Sequence, residues 1–570
     1  MSPKESISRY KASFYIKKMT YENNERVIKV VKELGSLDEI KTKSNGQDPI
    51  EWVQQYVSEI NENGMNGKEV IFVEFWPFST IDHHETCFNG GYLFLQKFYN
   101  ELAFERVCKD ISSRYLFDYD LNSILSRHVY ARSLYPLSKL STFDESQKLI
   151  ESPNFNLYEL CHSLNVISKE SDYIQNSLYK NSVESYVRNT STLFYDFTNF
   201  YFEIDEKHGL NQYGIPKEQS VNPIVQLGLL MDGNGVPLAF CINPGNTNER
   251  ITQKPLVKKI VKEFNASKFV ICTDAGLASQ ANRMFKSFSN RAFITTQSIK
   301  QMPSQIKDWI LDKTGWRILG SNIQFDLRMI EETEHSKTVF FKERNITING
   351  ADQRLIVTFS IKLRNQQRSE RTKEINNAMD LIINEHKTFK TSQIDYKRFV
   401  RVKNLTNTDE ICENTEFFIN DELVKKESAY DGYIGISTNL LDPEAKEIIK
   451  VITRRSEVKE IFRTMKAEFE LNPVCQSKDE RIRAHFTTCF ISLAILRMLE
   501  SKLDFSNTST EISGEIREMN YLRDVRNGYI PLFKKSDVID GLSKNFGFRI
   551  DNRIVTLSAI EKLKMPPEDE

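Results

Sequence analysis

No two of the eight cysteines (87, 108, 161, 241, 272, 412, 475 and 489) form a Cys-x-x-Cys pair, and they are scattered along the chain. A disulfide framework or a zinc ribbon would cluster them, so idle thiols in a reducing compartment are expected. With 22 glycines and 16 prolines, collagen-like and low-complexity architectures are excluded. An excess of one charge is missing too: 77 Lys+Arg face 78 Asp+Glu, a net charge of -1. That rules out a histone-like body that is cationic throughout, but not a basic groove offset by acid elsewhere. No run approaches the ~20 apolar residues that span a bilayer. The N-terminus, MSPKESISRYK, lacks the apolar core of a signal peptide. A soluble intracellular protein without a membrane partner is expected.

What is present is aromatic. The 570 residues include 37 Phe and 22 Tyr, and hydrophobic residues make up 40%, enough for a large core. The length suggests two to four domains. Residues 1–85 read as an α+β region, with a strand near Ser13–Ile16, a helix around Glu25–Leu34 and a strand at Val70–Trp76. Residues 86–189 read as helical, from apolar residues at three- and four-residue steps (Tyr92, Leu95, Phe98; Leu121, Ile124, Leu125). Arg127, His128, Arg132 and Lys139 give this region a basic side, which reads as a solvated face.

At residue 192 the period changes. Thr192–Glu203, Ile224–Met231 and Val236–Ile242 have strand composition, and Asp232-Gly-Asn-Gly235 supplies a hairpin turn between the last two. A helix at about 254–264, the apolar strand Ser267–Thr273, a helix at about 279–287 and the strand Ala292–Thr296 follow. The order βββαβαβ is that of a ribonuclease-H-like mixed sheet over residues 190–300. A mainly β insertion (301–447), carrying a charged helix at Glu370–His386, interrupts the core. The core resumes over 448–503 with two helices, and 504–570 reads as a tail.

Two carboxylates stand out. Asp196 sits mid-strand among apolar residues, with Tyr195 and Phe197 directed to the opposite face. A buried strand carboxylate costs several kcal/mol unless it is paired. Asp274 ends the apolar strand in CTDAG, where open sheets place ligand groups. Taken singly, Asp196 is explained by a core hydrogen bond and Asp274 by a turn cap. Together on neighbouring central strands, they favour a shared divalent metal. Phosphodiester cleavage by two Mg²⁺ ions ~4 Å apart needs about three such acids, the third from a helix packed on the sheet.

Several stretches resemble a DDE transposase of the insertion-sequence-four superfamily, in the long-chain branch with a β insertion before the last acid. They are LFYDFTNFYFE (193–203), NPIVQLGLLMDGNGVPLAFCINPGNTNE (222–249), KFVICTDAGLAS (268–279), RAFITTQSIK (291–300), EIFRTMKAEF (460–469) and DERIRAHFTTCF (479–490); RSLYPLSKLST (132–142) also fits. The resemblance spans about 190–500. It implies Asp196 and Asp274 as catalytic Mg²⁺ ligands, with Mn²⁺ as a substitute. It implies a third acid in a helix patterned Tyr-x2-Arg-x3-Glu-x6-Lys. Anchored on Arg455 and Lys466, that pattern puts Ile452 at the Tyr position and Lys459 at the Glu position. A protonated lysine cannot ligate Mg²⁺. The adjacent Glu460, rotated by about 100° from Lys459 on a helix, is the candidate substitute ligand, and loss of catalysis is the alternative.

The stripe Arg455, Lys459, Arg463 and Lys466 suits phosphate neutralisation, and the resemblance assigns Arg455 and Lys466 to the transposon end. The run Lys362–Lys373 offers further cations, as DNA contacts or as a plain helix surface. The implied partners are double-stranded DNA, both terminal repeats and target, and a second copy of the chain on that DNA. No nucleotide cofactor is implied, and the setting is the nucleoid in the cytoplasm of a prokaryotic-type cell. Three functions stay open: a transposase performing hydrolysis and strand transfer, a catalytically silent DNA-binding relative, and a generic nuclease.

Overall fold

The computed structural model describes residues 13–22, 25–44, 51–56, 87–135, 139–203, 207–214, 222–248, 255–258, 269–273, 292–321, 323–348, 350–384, 395–405, 414–467, 478–524 and 528–564, with a few isolated positions between them. The strand expected at Val70–Trp76 and most of the helices expected at 254–264 and 279–287 lie outside the described residues.

The chain begins with an antiparallel hairpin, β1 (Ser13–Glu22) and β2 (Glu25–Ser36), followed by the short helix α1 (Leu37–Lys43). The helix expected at Glu25–Leu34 is therefore a strand. Its Val27, Ile28, Val30 and Val31 are β-branched, and that preference outweighs the helical spacing. After β3 (Cys87–Asn89) come six helices: α2 (Tyr92–Glu101), α3 (Phe104–Ser112), α4 (Leu121–Leu134), α5 (Lys139–Ser146), α6 (Leu157–Lys169) and α7 (Ser171–Ser185). Side-chain caps mark several starts: Asp120 accepts from two backbone N–H groups of α4, and Asn156 forms a capping box with Glu159 on α6.

The core strands are β4 (Thr192–Tyr201), β5 (Ile224–Met231), β6 (Pro237–Pro244), β7 (Val270–Thr273) and β8 (Ala292–Gln297). In space they run β6-β5-β4-β7-β8; the first three are antiparallel, and β4, β7 and β8 are parallel. This is the expected ribonuclease-H-like core. β5 is buried along its whole length, and β4 along all but its two ends, as central strands require.

The insertion does not fold apart from this sheet. It contains α8 (Ser304–Leu311), β9 (Trp316–Ile318), β10 (Gln324–Phe325), β11 (Phe340–Ile348), β12 (Ala351–Phe359), the long α9 (Ile361–Asn384), a hairpin of β13 (Val400–Leu405) and β14 (Asn414–Ile419), α10 (Asp421–Ser428) and β15 (Tyr433–Thr438). β15 pairs with both β12 and β8, so the sheet continues to ten strands in the order β10-β9-β11-β12-β15-β8-β7-β4-β5-β6.

The second part of the core consists of α11 (Ala445–Ala467) and α12 (Asp479–Lys502). By length and composition α12 could cross a membrane, but 83% of its apolar stretch is buried inside the protein. It packs against α4, α6, α7 and β6, the position of a helix apolar on every side.

The segment expected as a tail is folded through residue 564. It forms α13 (Ser509–Glu518), β16 (Asn520–Asp524), β17 (Gly528–Pro531), α14 (Asp537–Phe546) and α15 (Leu557–Lys564). β16 pairs with β3, and the Asn89 amide donates to the carbonyls of Ile516 and Arg517 at 3.0 Å. The C-terminal segment and the helical region thus share one core. Residues 525–527 and the closing MPPEDE lie outside the described residues.

Candidate nucleic-acid interface and metal site

Residues of β4 alternate between the two faces of the sheet. Tyr195 and Phe197 belong to one cluster with Leu256 and Val257, and the Tyr195 hydroxyl lies 2.8 Å from Thr252 Oγ1. Burial pushes that hydroxyl well above its ordinary pKa. Asp196 and Phe200 face the other way, toward α11 and α12. Phe200 meets Phe486 edge-on at 5.2 Å, and Lys466 Nζ sits 5.6 Å from the centre of the Phe200 ring.

Helix α11 crosses β4, β7 and β8, held by buried Val458, Ile461, Phe462 and Met465. From it Arg455 reaches Asp196, with Nη2 3.8 Å from Oδ2, and the side chains are only 11% and 7% exposed. Asp196 Oδ1 accepts the Phe197 N–H at 2.9 Å. A carboxylate this buried needs compensating charge. The guanidinium contributes to it.

Lys459 is one turn beyond Arg455 on the same face of α11 and is exposed. Glu460 is rotated away. Its side chain is 56% exposed and pairs with Arg463. It lines a groove of about 810 Å³ with Arg454 and Glu457 of α11, Arg497 and Glu500 of α12, and the start of α13. At 100° per residue, Glu457 and Glu460 lie about 160° and about 140° around α11 from Arg455. Of the expected site residues, the structure brings Asp196 and Arg455 together and places Lys466 over Phe200. Lys459, Glu460 and Arg463 stand at the surface. Asp274 lies outside the described residues, one residue beyond Thr273 at the end of β7.

Of the three expected metal ligands, the described residues place Asp196 on β4 and Glu460 at the surface. Among the described residues no group of three or more metal-ligating side chains assembles. Around Asp196 they supply one carboxylate and, from α11, the Arg455 guanidinium. A divalent ion bound at Asp196 would meet repulsion from that guanidinium.

One basic feature differs from its expected form, and a second does so only in part. Arg127, His128 and Arg132 are buried, not a solvated face. Arg127 bonds Glu151 at 3.3 Å, and Arg132 donates to the Phe469 carbonyl at 2.9 Å. In the insertion, Arg364 pairs with Glu332, and Arg368 and Arg371 both meet Asp431. Arg364 and Arg371 brace the insertion from within, while Lys362, Arg368 and Lys373 are exposed on α9. A further ion pair, Arg188–Asp232, carries no motif in the sequence: its partners are far apart along the chain, and Asp232 reads there as a turn residue.

No family model matches the chain, and none of the curated proteins matches it. Among solved structures, it is similar to a piggyBac transposase in a synaptic complex with hairpin DNA, seen by cryo-EM. The identity is 9% and the TM-score 0.37, over 84% of this chain and 85% of that one. So loose a superposition leaves the fold resting on the strand order above. Neither result assigns the chain to the insertion-sequence-four superfamily.

Proposed function

We propose that the chain is a transposase-like protein that binds duplex DNA without cutting it. The observation that carries this reading is the Arg455–Asp196 pair beneath a helix whose third-acid position is Lys459, with Glu460 turned to the opposite side. Asp196 keeps the central-strand position of a DDE site, but its charge is answered by an arginine. The exposed cations of α11 remain available to phosphates, and charge neutralisation of the backbone needs no metal. The DNA class fits the sequence motifs over 190–500, and a second copy on paired ends fits the same resemblance.

Salt and metal titrations of duplex affinity test this. Binding to a labelled duplex from the DNA flanking the coding sequence should weaken steeply as salt rises. At constant ionic strength it should be the same in Mg²⁺ and in EDTA. Affinity that appears only with Mg²⁺ would contradict the proposal.

A further inference from the structure

Arg132 lies in the last turn of α4 and is only 9% exposed. An arginine removed from water needs acceptors for its donors, or its burial costs several kcal/mol. Its Nη1 donates to the Phe469 carbonyl at 2.9 Å, and its Nη2 is 3.4 Å from His485 Nδ1 on α12. Phe469 sits just past the end of α11, with its ring buried and its N–H bonded back to Thr464 at 3.3 Å. The guanidinium therefore stands at the C-terminal end of α11, where helix carbonyls lack partners and the dipole favours a cation. Lys466 is three residues before Phe469. Farther along, Val474 N–H donates to the Tyr201 carbonyl at 2.8 Å, tying the segment after α11 to the end of β4.

The α4–α12 contact has its own tie, since Ser492 Oγ donates to the Val129 carbonyl at 3.0 Å. What Arg132 adds is a hold on the end of α11.

We propose that Arg132 is a positioning residue for DNA binding: it clamps the C-terminal turn of α11 to α4 and α12, and so fixes Lys466 where a phosphate can meet it. Arg132 is itself too buried to touch DNA. The proposal rests on the duplex-binding reading and gives the helical region a definite task within it.

A double-mutant cycle tests it, combining Arg132→Met with Lys466→Ala and reading duplex affinity at low salt. Each single variant should bind roughly 5- to 10-fold more weakly, and the double should be no weaker than Lys466→Ala alone. In the free protein, Arg132→Met should speed hydrogen exchange at the Phe469 and Val474 amides by about 10-fold or more and leave the amides of α4 unchanged. Multiplying losses, or faster exchange throughout α4 and α12, would overturn the proposal. If Arg132→Met does not fold, Arg132→Lys, which keeps the charge and one donor, takes its place in the cycle. If the wild type binds no duplex, the functional reading falls. Exchange then decides the clamp: acceleration confined to Phe469 and Val474 sustains it, and none overturns it.

Discussion

Replacing Lys459, Arg463 and Lys466 together by alanine should lower the salt slope of duplex binding by about 3 and weaken binding at low salt on the order of 100-fold. Each phosphate neutralised by a side chain contributes about 0.9 to that slope on B-form DNA. Lys459 and Arg463 are exposed on α11, and Lys466 stands over Phe200, so all three belong to the helix that covers β4. Arg463 also pairs with Glu460, but an exposed pair is worth less than about 1 kcal/mol, so its loss leaves the fold intact. Arg455 is kept in this variant because removing it would take a cation from the buried Asp196 carboxylate and mix a stability loss into the result. Thermal unfolding at wild-type temperature, together with the shallower slope, marks the effect as electrostatic. An unchanged slope would remove α11 from the interface.

The largest stability effect should come from a buried ion pair. Arg188 and Asp232 have side chains 1% and 0% exposed, with Nε 2.6 Å from Oδ2. Arg188 also donates to Ser182 Oγ at 2.7 Å and to the carbonyls of Val236 and Pro237 at 3.1 and 2.9 Å. The other Asp232 oxygen accepts the N–H groups of Asn234 and Val236, both at 2.9 Å, which shapes the turn between β5 and β6. Arg188→Met leaves the carboxylate charged and buried and should cost about 3–5 kcal/mol in denaturant unfolding. Asp232→Asn keeps an oxygen for both turn bonds and should cost less. In the double variant neither charge remains, so its loss should fall well below the sum of the two. Additive losses would mean that the pair is not coupled.

The core was legible in the sequence where local chemistry and tertiary position agree. The aromatic and β-branched run at 192–203 becomes β4, the Asp-Gly-Asn-Gly turn joins β5 to β6, and period-2 alternation sends Asp196 to the face opposite Tyr195. What escaped depends on partners remote in the chain. β16 is short, and its pairing partner β3 is a three-residue strand far earlier in the sequence. Arg132 looks like a surface cation until Phe469 and His485 are brought to it. The Arg455–Asp196 contact likewise joins residues that no local pattern connects. The outward turn of Glu460 follows from helix geometry alone, one residue and about 100° from Lys459.

Cleavage tests the central claim most directly: a labelled duplex of the flanking DNA, incubated with Mg²⁺ or Mn²⁺, for wild type, Lys459→Glu, Glu460→Gln and Asp274→Ala side by side. The wild type should shift the duplex and leave both strands whole, and Glu460→Gln and Asp274→Ala should behave the same. Strand cutting by the wild type that Glu460→Gln or Asp274→Ala abolishes would contradict the claim and restore a working metal site.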